Sequence, residues 1–281
     1  MKQCRIRKEI KGQRAVDGAG VHLVRVLGMN DVDAFDPFLM LDSFDSRNSA
    51  DYIAGFPMHP HRGIETITYL IQGEVEHKDS LGNKGVIRSG EAQWMTSGSG
   101  ILHEEMPRKS ERMLGFQVWL NLPQPKKMTE PAYLSITGND IGLLDTDDAK
   151  IRVLSGEFAG VTGITPRYIP VSIYDILIFE GKEIVIPVKP EETVFLFLIE
   201  GDCSIEGRRI PEKTAVLLDS GEGIALSAPP DTTSRIIFFS GKPLHEPISW
   251  GGPIVMNTQE ELRLAFEELR QGSFIKHNPH S

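Results

Sequence analysis

Two stretches of this chain read as copies of one another. FPMHPHRGIETITYLIQG, Phe56 to Gly73, sets against IVIPVKPEETVFLFLIEG, Ile184 to Gly201, without a gap. Further on, SGEAQWMTSG (Ser89 to Gly98) matches SGEGIALSAP (Ser220 to Pro229). A repeat constrains the fold more than any single segment, because both copies must satisfy one architecture. Between the glycines and prolines lie short β-type runs: VHLVRVL, IETITYLI, MLGFQVWL, VSIYDILIF, TVFLFLI and RIIFF among them. Short strands with turn signals every ten residues or so indicate a sandwich or barrel. The repeat therefore predicts an all-β chain of two tandem β-barrels. The seam falls in LPQPKKMTEPAY, Leu122 to Tyr133, whose prolines and charges suit a linker, giving domains 1–132 and 133–281. One helix is expected, in NTQEELRLAFEELRQG near the C-terminus. Thr258 and Glu261 form a capping box, Leu262, Ala265, Phe266 and Leu269 make an apolar stripe, and Gly272 stops it.

Within the first copy, His59 and His61 stand two residues apart. Side chains alternate across a strand, so these two imidazoles share a face, and Pro60 biases His59 toward an extended conformation. Glu65 has the parity of His61 unless Gly63 breaks the register. Later, in SGSGILHEEMP, His103 and Glu105 share a face while Glu104 points away, to solvent or to a base such as Arg62. Three imidazoles and one carboxylate on inward faces of one barrel make a metal site; such N and O ligands suit iron, manganese, copper, nickel or zinc. A histidine pair alone is more often structural. The second copy is an internal control: His59 and His61 map onto Pro187 and Lys189, and the second block, extended, maps His103 and Glu105 onto Ser234 and Ile236. All four candidate ligands vanish together while the glycines and the apolar pattern persist, as for a site grafted on a shared scaffold. His22, His77, His245 and the tail pair His277 and His280 lack companions at ligand spacing, and the strand of His77 is expected to be an outer one.

Composition excludes several classes. The net charge of −9 disfavours direct nucleic-acid binding, and the basic N-terminal stretch MKQCRIRKEIKGQR reads as a solvated strand or arm. Two distant cysteines, Cys4 and Cys203, argue against a disulfide framework. No apolar run reaches the roughly 20 residues of a membrane span, and no secretory signal is evident. A cytoplasmic location is expected, or a nuclear one in a eukaryote.

At these motifs the chain resembles the pirin family of the cupin superfamily. FPMHPHRGIETITYLIQGEVEHKDS, SGEAQWMTSGSGILHEEMP and GKPLHEPISWGGPIVMNT carry the resemblance, which covers most of the chain. It implies a bicupin with one metal, in the N-terminal barrel only, held by His59, His61, His103 and Glu105. Glu65, at the carboxylate position of the general cupin motif, is not a pirin ligand and is expected to line or support the pocket. For activity, the resemblance implies either a quercetin 2,3-dioxygenase acting on a flavonol with O2, or an iron-dependent, redox-responsive regulator that docks onto transcription factors or metabolic enzymes. The metal implied is divalent, foremost Fe(II), with Cu, Mn, Ni or Zn as alternatives. A flavonol hydroxyl needs a base: Glu105 is the first candidate and Glu65 the second. Phe56, Met58, Trp94, Met95, Phe116 and Trp119 are candidates for an apolar pocket wall, although such residues in a barrel are more often core.

Overall fold

The computed structural model describes residues 2–277; His280 lies outside them. Both repeats fold into a seven-stranded antiparallel sheet facing a four-stranded one. In the first repeat the strands of the large sheet run in the order Ala132–Ile136, Ala92–Thr96, Ile64–Gln72, Met113–Asn121, Phe38–Ser46, Val21–Leu27 and Gln13–Asp17. In the second, the order is Ile6–Lys11, Thr214–Leu218, Thr193–Glu200, Ser234–Gly241, Val171–Ile178, Ala149–Ser155 and Gly142–Asp145. The four-stranded sheets correspond in the same way: Phe56–His61, Ile101–Pro107, Glu74–Asp79, Lys84–Arg88 against Glu183–Pro187, Gly223–Ser227, Cys203–Ile205, Arg208–Ile210. The chain is mostly β and has the bicupin fold with a C-terminal helix.

Contacts divide the chain differently from a cut at 132/133. One unit comprises Arg14–Met29, Phe38–Thr137 and the chain from Leu244 onward; the other comprises the residues up to Gln13, Asn30–Pro37 and Gly138–Pro243. The reason is hydrogen bonding. Ala132–Ile136 pairs with Ala92–Thr96 of the first barrel, so position 133 lies inside a strand rather than at a seam. The basic N-terminal strand Ile6–Lys11 completes the edge of the second barrel's sheet by pairing with Thr214–Leu218. The helix Gln259–Gln271 has its capping box at Thr258 and Glu261 and a left-handed Gly272 at its end. It packs Leu262 and Ala265 with Ile254, Met256 and Phe274, within the unit of the first barrel.

Topology also corrects the second alignment block. The counterpart of Ile101–Pro107 is Gly223–Ser227, not Ser234–Gly241: His103 lies opposite His59, as Gly223 lies opposite Pro187. Ser89–Gly98 and Ser220–Pro229 share a glycine turn before a strand, but Ala92–Thr96 belongs to the seven-stranded sheet and Gly223–Ser227 to the four-stranded one. The loss of ligands from the second copy stands with the corrected partners, since Gly223–Ser227 carries neither His nor Glu.

Candidate metal centre

Strand Phe56–His61 runs antiparallel to Ile101–Pro107, with His103 opposite His59 and Ile101 opposite His61. Period-two alternation then gathers the three imidazoles on one face. The His59 and His61 rings lie 4.8 Å apart, His59 and His103 4.3 Å, and His61 and His103 5.0 Å between centroids. One nitrogen from each ring falls within 4.8 Å of the others, the single such cluster of metal-ligating groups among the described residues.

The hydrogen bonds set the tautomers. A carbonyl only accepts, so His59 Nδ1 donates to Pro57 O at 2.9 Å and His61 Nδ1 donates to Pro253 O at 3.1 Å. Both Nε2 atoms are then bare lone pairs, only 3.1 Å apart. Two lone pairs this close repel unless a cation lies between them. His103 is fully buried and neither ring nitrogen has a hydrogen-bond partner. Burial, with His59 nearby, pushes His61 down to about 3. Burial, then His61, His59 and His77, holds His103 well below its usual value. Neutral imidazoles with converging lone pairs are what a transition metal requires. The donor set fits a metal ion.

Glu105 is 4% exposed and its carboxylate is clamped. Oε1 accepts from Gln93 Nε2 at 2.5 Å and Thr68 Oγ1 at 3.0 Å, and Oε2 accepts from Gln117 Nε2 at 2.7 Å. Gln117 Oε1 in turn accepts from Trp119 Nε1 at 3.1 Å. These donors lie level across three paired strands, Gln93 opposite Thr68 and Thr68 opposite Gln117.

Glu65 is placed elsewhere. Gly63, at φ +77°, ends one strand, and Ile64–Gln72 starts in the other sheet, so the parity of His61 does not carry through. On that strand Glu65 is odd and Thr68 even; Glu65 therefore faces away from the Glu105 clamp and accepts from Thr96 Oγ1 at 2.7 Å. Glu104 pairs with Lys78 at 2.8 Å rather than with Arg62. Arg62 is buried; it bonds Glu268 and the carbonyl of Phe274, each at 2.8 Å, and lies over the Phe274 ring. His77 sits not on an outer face but fully buried, with Asp79 as its partner at 3.2 Å.

A cavity of about 560 Å³ opens onto His59, His61 and Glu105. Of the six expected wall residues only Phe56 and Trp119 line it; Phe44, Met29, Met40, Trp250, Pro57 and Pro253 add to its apolar surface. Met58 is 50% exposed. Trp94 and Phe116 neighbour Gln93 and Gln117 in sequence, so alternation turns them to the opposite faces of their strands. Trp119 stands edge-on to His61 at 4.9 Å and lies 5.8 Å from Trp250. Arg25 and Asp42, ion-paired at 2.7 Å, form a polar part of the lining. The clamp residues and Trp250 escaped the sequence reading because a glutamine or a remote tryptophan carries no local signal. Thr68 was within reach: its gapless counterpart in the repeat is Leu196.

Fold and site together define a bicupin with a three-histidine cluster in one barrel. Family models for Pirin match residues 20–120 and for the Pirin C-terminal cupin domain residues 173–275. A Pseudomonas aeruginosa protein named "Putative quercetin 2,3-dioxygenase" is 42% identical, over 93% of this chain and 94% of its own. A "Pirin-like protein" of Caulobacter vibrioides is 39% identical over 95% and 98%. The crystal structure of a quercetin 2,3-dioxygenase from Acinetobacter baumannii is 31% identical, with a TM-score of 0.89 over 97% and 98% of the two chains. The chain belongs to the pirin family.

Proposed function

We propose that this chain is a metal-dependent dioxygenase of the quercetin 2,3-dioxygenase type, opening the central ring of a flavonol with O2 and releasing carbon monoxide. The observation that carries it is a cluster of three imidazoles, two of which, His59 and His61, line an aromatic-walled cavity together with the buried Glu105 carboxylate. Relatives at about 40% identity bear that activity in their names, and a flavonol is the substrate this implies.

His59, His61 and His103 would hold the metal, foremost Fe(II), with Glu105 as fourth ligand; Cu, Mn, Ni or Zn suit the same donors. The bound metal supplies Lewis acidity that lowers the pKa of the flavonol 3-hydroxyl. Glu105 accepts that proton; its clamp of Thr68, Gln93 and Gln117 keeps an oxygen oriented through the transfer. General-base help of this kind is worth about 10²–10⁴-fold. Trp119, Trp250 and Phe44 bind the flat rings and keep water from the reacting carbons. Pro253 fixes the His61 ring through Nδ1.

The test is loss of flavonol absorbance under air with protein loaded in turn with Fe(II), Cu, Mn and Ni. Turnover should disappear in His61→Ala and Glu105→Ala. No turnover with any metal across several flavonols would overturn the reading in favour of a regulatory, partner-binding pirin.

A further inference from the structure

A ligating histidine almost always donates its second ring N–H to an acceptor. For His59 and His61 those acceptors are the carbonyls of Pro57 and Pro253. His103 has none, and no carbonyl or carboxylate is bonded to it. The group placed to serve is His77. It is fully buried, and its ring centroid lies 5.5 Å from that of His103. A linear N–H···N bond of about 3.0 Å between two imidazoles separates their centroids by about that distance; the two rings are tilted by 52° and do not make that bond as they stand.

The tautomer of His77 is set from behind. Its Nε2 lies 3.2 Å from Asp79 Oδ2, and a carboxylate accepts, so the proton is on Nε2 and Nδ1 is a bare acceptor. Nδ1 is buried without a partner. Asp79 is itself fixed by Leu81 N, Asn83 N and Asn83 Nδ2, at 2.9, 3.0 and 2.9 Å. Tyr133 stacks on the His77 ring at 4.4 Å and holds its plane. Register places the four groups on one face: Asp79 opposite His103, and His77 opposite Glu105.

The repeat supplies an independent control. By the gapless alignment His77 and Asp79 map onto Ile205 and Gly207. Both are lost from the second barrel together with the three histidines, although Gly73 and Gly201, which start the segment, are kept. A pair needed only for the barrel would be expected in both copies.

We propose that His77 is a positioning residue of the metal centre: Asp79 holds it so that Nδ1 accepts the free N–H of His103, orienting that ring and strengthening it as a donor to the metal. This rests on the metal-centre reading, not on turnover. The test is the affinity of the full-length protein for Ni(II), measured by chelator competition, in wild type, His77→Phe and His77→Gln. Phe keeps the stack on Tyr133 but has no acceptor. Gln offers its carbonyl to His103 and its amide N–H to Asp79. His77→Phe should weaken Ni(II) binding about 10–100-fold, the range typical of lost supporting partners, and, because it also takes the Nε2–H donor from buried Asp79, should lower the metal-free melting temperature. His77→Gln should recover most of the loss. A His77→Phe affinity within twofold of wild type, or a glutamine variant as weak as the phenylalanine one, overturns the proposal. Wild type that binds no Ni(II) sinks the metal centre itself, a distinguishable failure. A second readout needs no substitution. Long-range ¹H–¹⁵N spectra of the wild-type Zn(II) protein should show His77 protonated at Nε2 and a slowly exchanging N–H on His103. A His77 proton on Nδ1 refutes the assignment.

Discussion

Glu105→Gln tests the clamp most directly. The wild-type carboxylate accepts three hydrogen bonds and donates none. Glutamine has one acceptor end and one donor end. If its oxygen faces Gln93 and Thr68, its NH2 meets the NH2 of Gln117. Gln117 can flip to present its own oxygen, but that oxygen is the acceptor for Trp119 Nε1. The flip then turns an NH2 toward the indole N–H. The mismatch moves one step along the chain and does not disappear. One buried donor is left without an acceptor, at about 1–3 kcal/mol. For a chain of this size that is a fall of about 2–10 °C in the melting temperature of the metal-free protein. Trp119→Phe removes the last donor, so it should cost less in the Glu105→Gln background than alone. The double-mutant cycle, by denaturant melts, should show a coupling of about 1–2 kcal/mol. Additivity within about 0.5 kcal/mol would refute the chain of donors. Flavonol turnover should fall about 10²–10⁴-fold in Glu105→Gln.

Three further outcomes follow from the same geometry. His61 titrates at about 3 when folded against 6.5 for the ordinary group, so the unfolded chain binds more protons between those values. The stability this buried ring contributes is complete above 6.5 and is lost as pH falls toward 3; between pH 7 and 5 the metal-free protein should lose about 2 kcal/mol from it, read from urea melts at each pH. Gly63→Ala places a Cβ 1.9 Å from Val255 O at φ +77°, and should cost more than about 2 kcal/mol and reduce metal loading, checked by melting and metal analysis. Trp250→Ala removes the partner of Trp119, and should raise KM for a flavonol by about 3–10-fold, from the roughly 0.5–1.5 kcal/mol of an aromatic pair, with Ni(II) affinity unchanged.

The repeat and the HxH spacing made the double barrel and the three histidines legible, because alternation on a strand is a local rule. What crossed a chain break was not. Glu65 inherits the parity of His61 on paper, but Gly63 at φ +77° sends the chain into another sheet and resets the count. Two of the six expected wall residues, Trp94 and Phe116, miss the cavity for a related reason: which of two neighbours faces inward depends on the sheet, and only Gln93 and Gln117, by reaching Glu105, reveal the phase of their strands. Trp250 and Pro253 could not be placed at all, since they reach the site from nearly 200 residues beyond His61 in sequence.

The register shows why one barrel can hold a carboxylate and its twin cannot. Thr68, Gln93 and Gln117 form one level across three strands. In the second barrel Leu196 takes the place of Thr68, and its cross-strand neighbours are Val216 and Phe238. The three donors become three apolar side chains, all within the buried core of that barrel. Opposite Pro187 and Ile184 are Gly223 and Leu226, three residues apart where His103 and Glu105 are two, because the register shift between His103 and Glu105 has no counterpart in this pair of strands. Restoring histidines at 187, 189 and 223 would therefore not by itself recreate the first site. A carboxylate at 226 would enter a core with no donor at the Thr68, Gln93 and Gln117 positions, and burying an unpaired charge costs several kcal/mol. The carboxylate clamp and the three imidazoles occur together in one barrel and are absent together from the other.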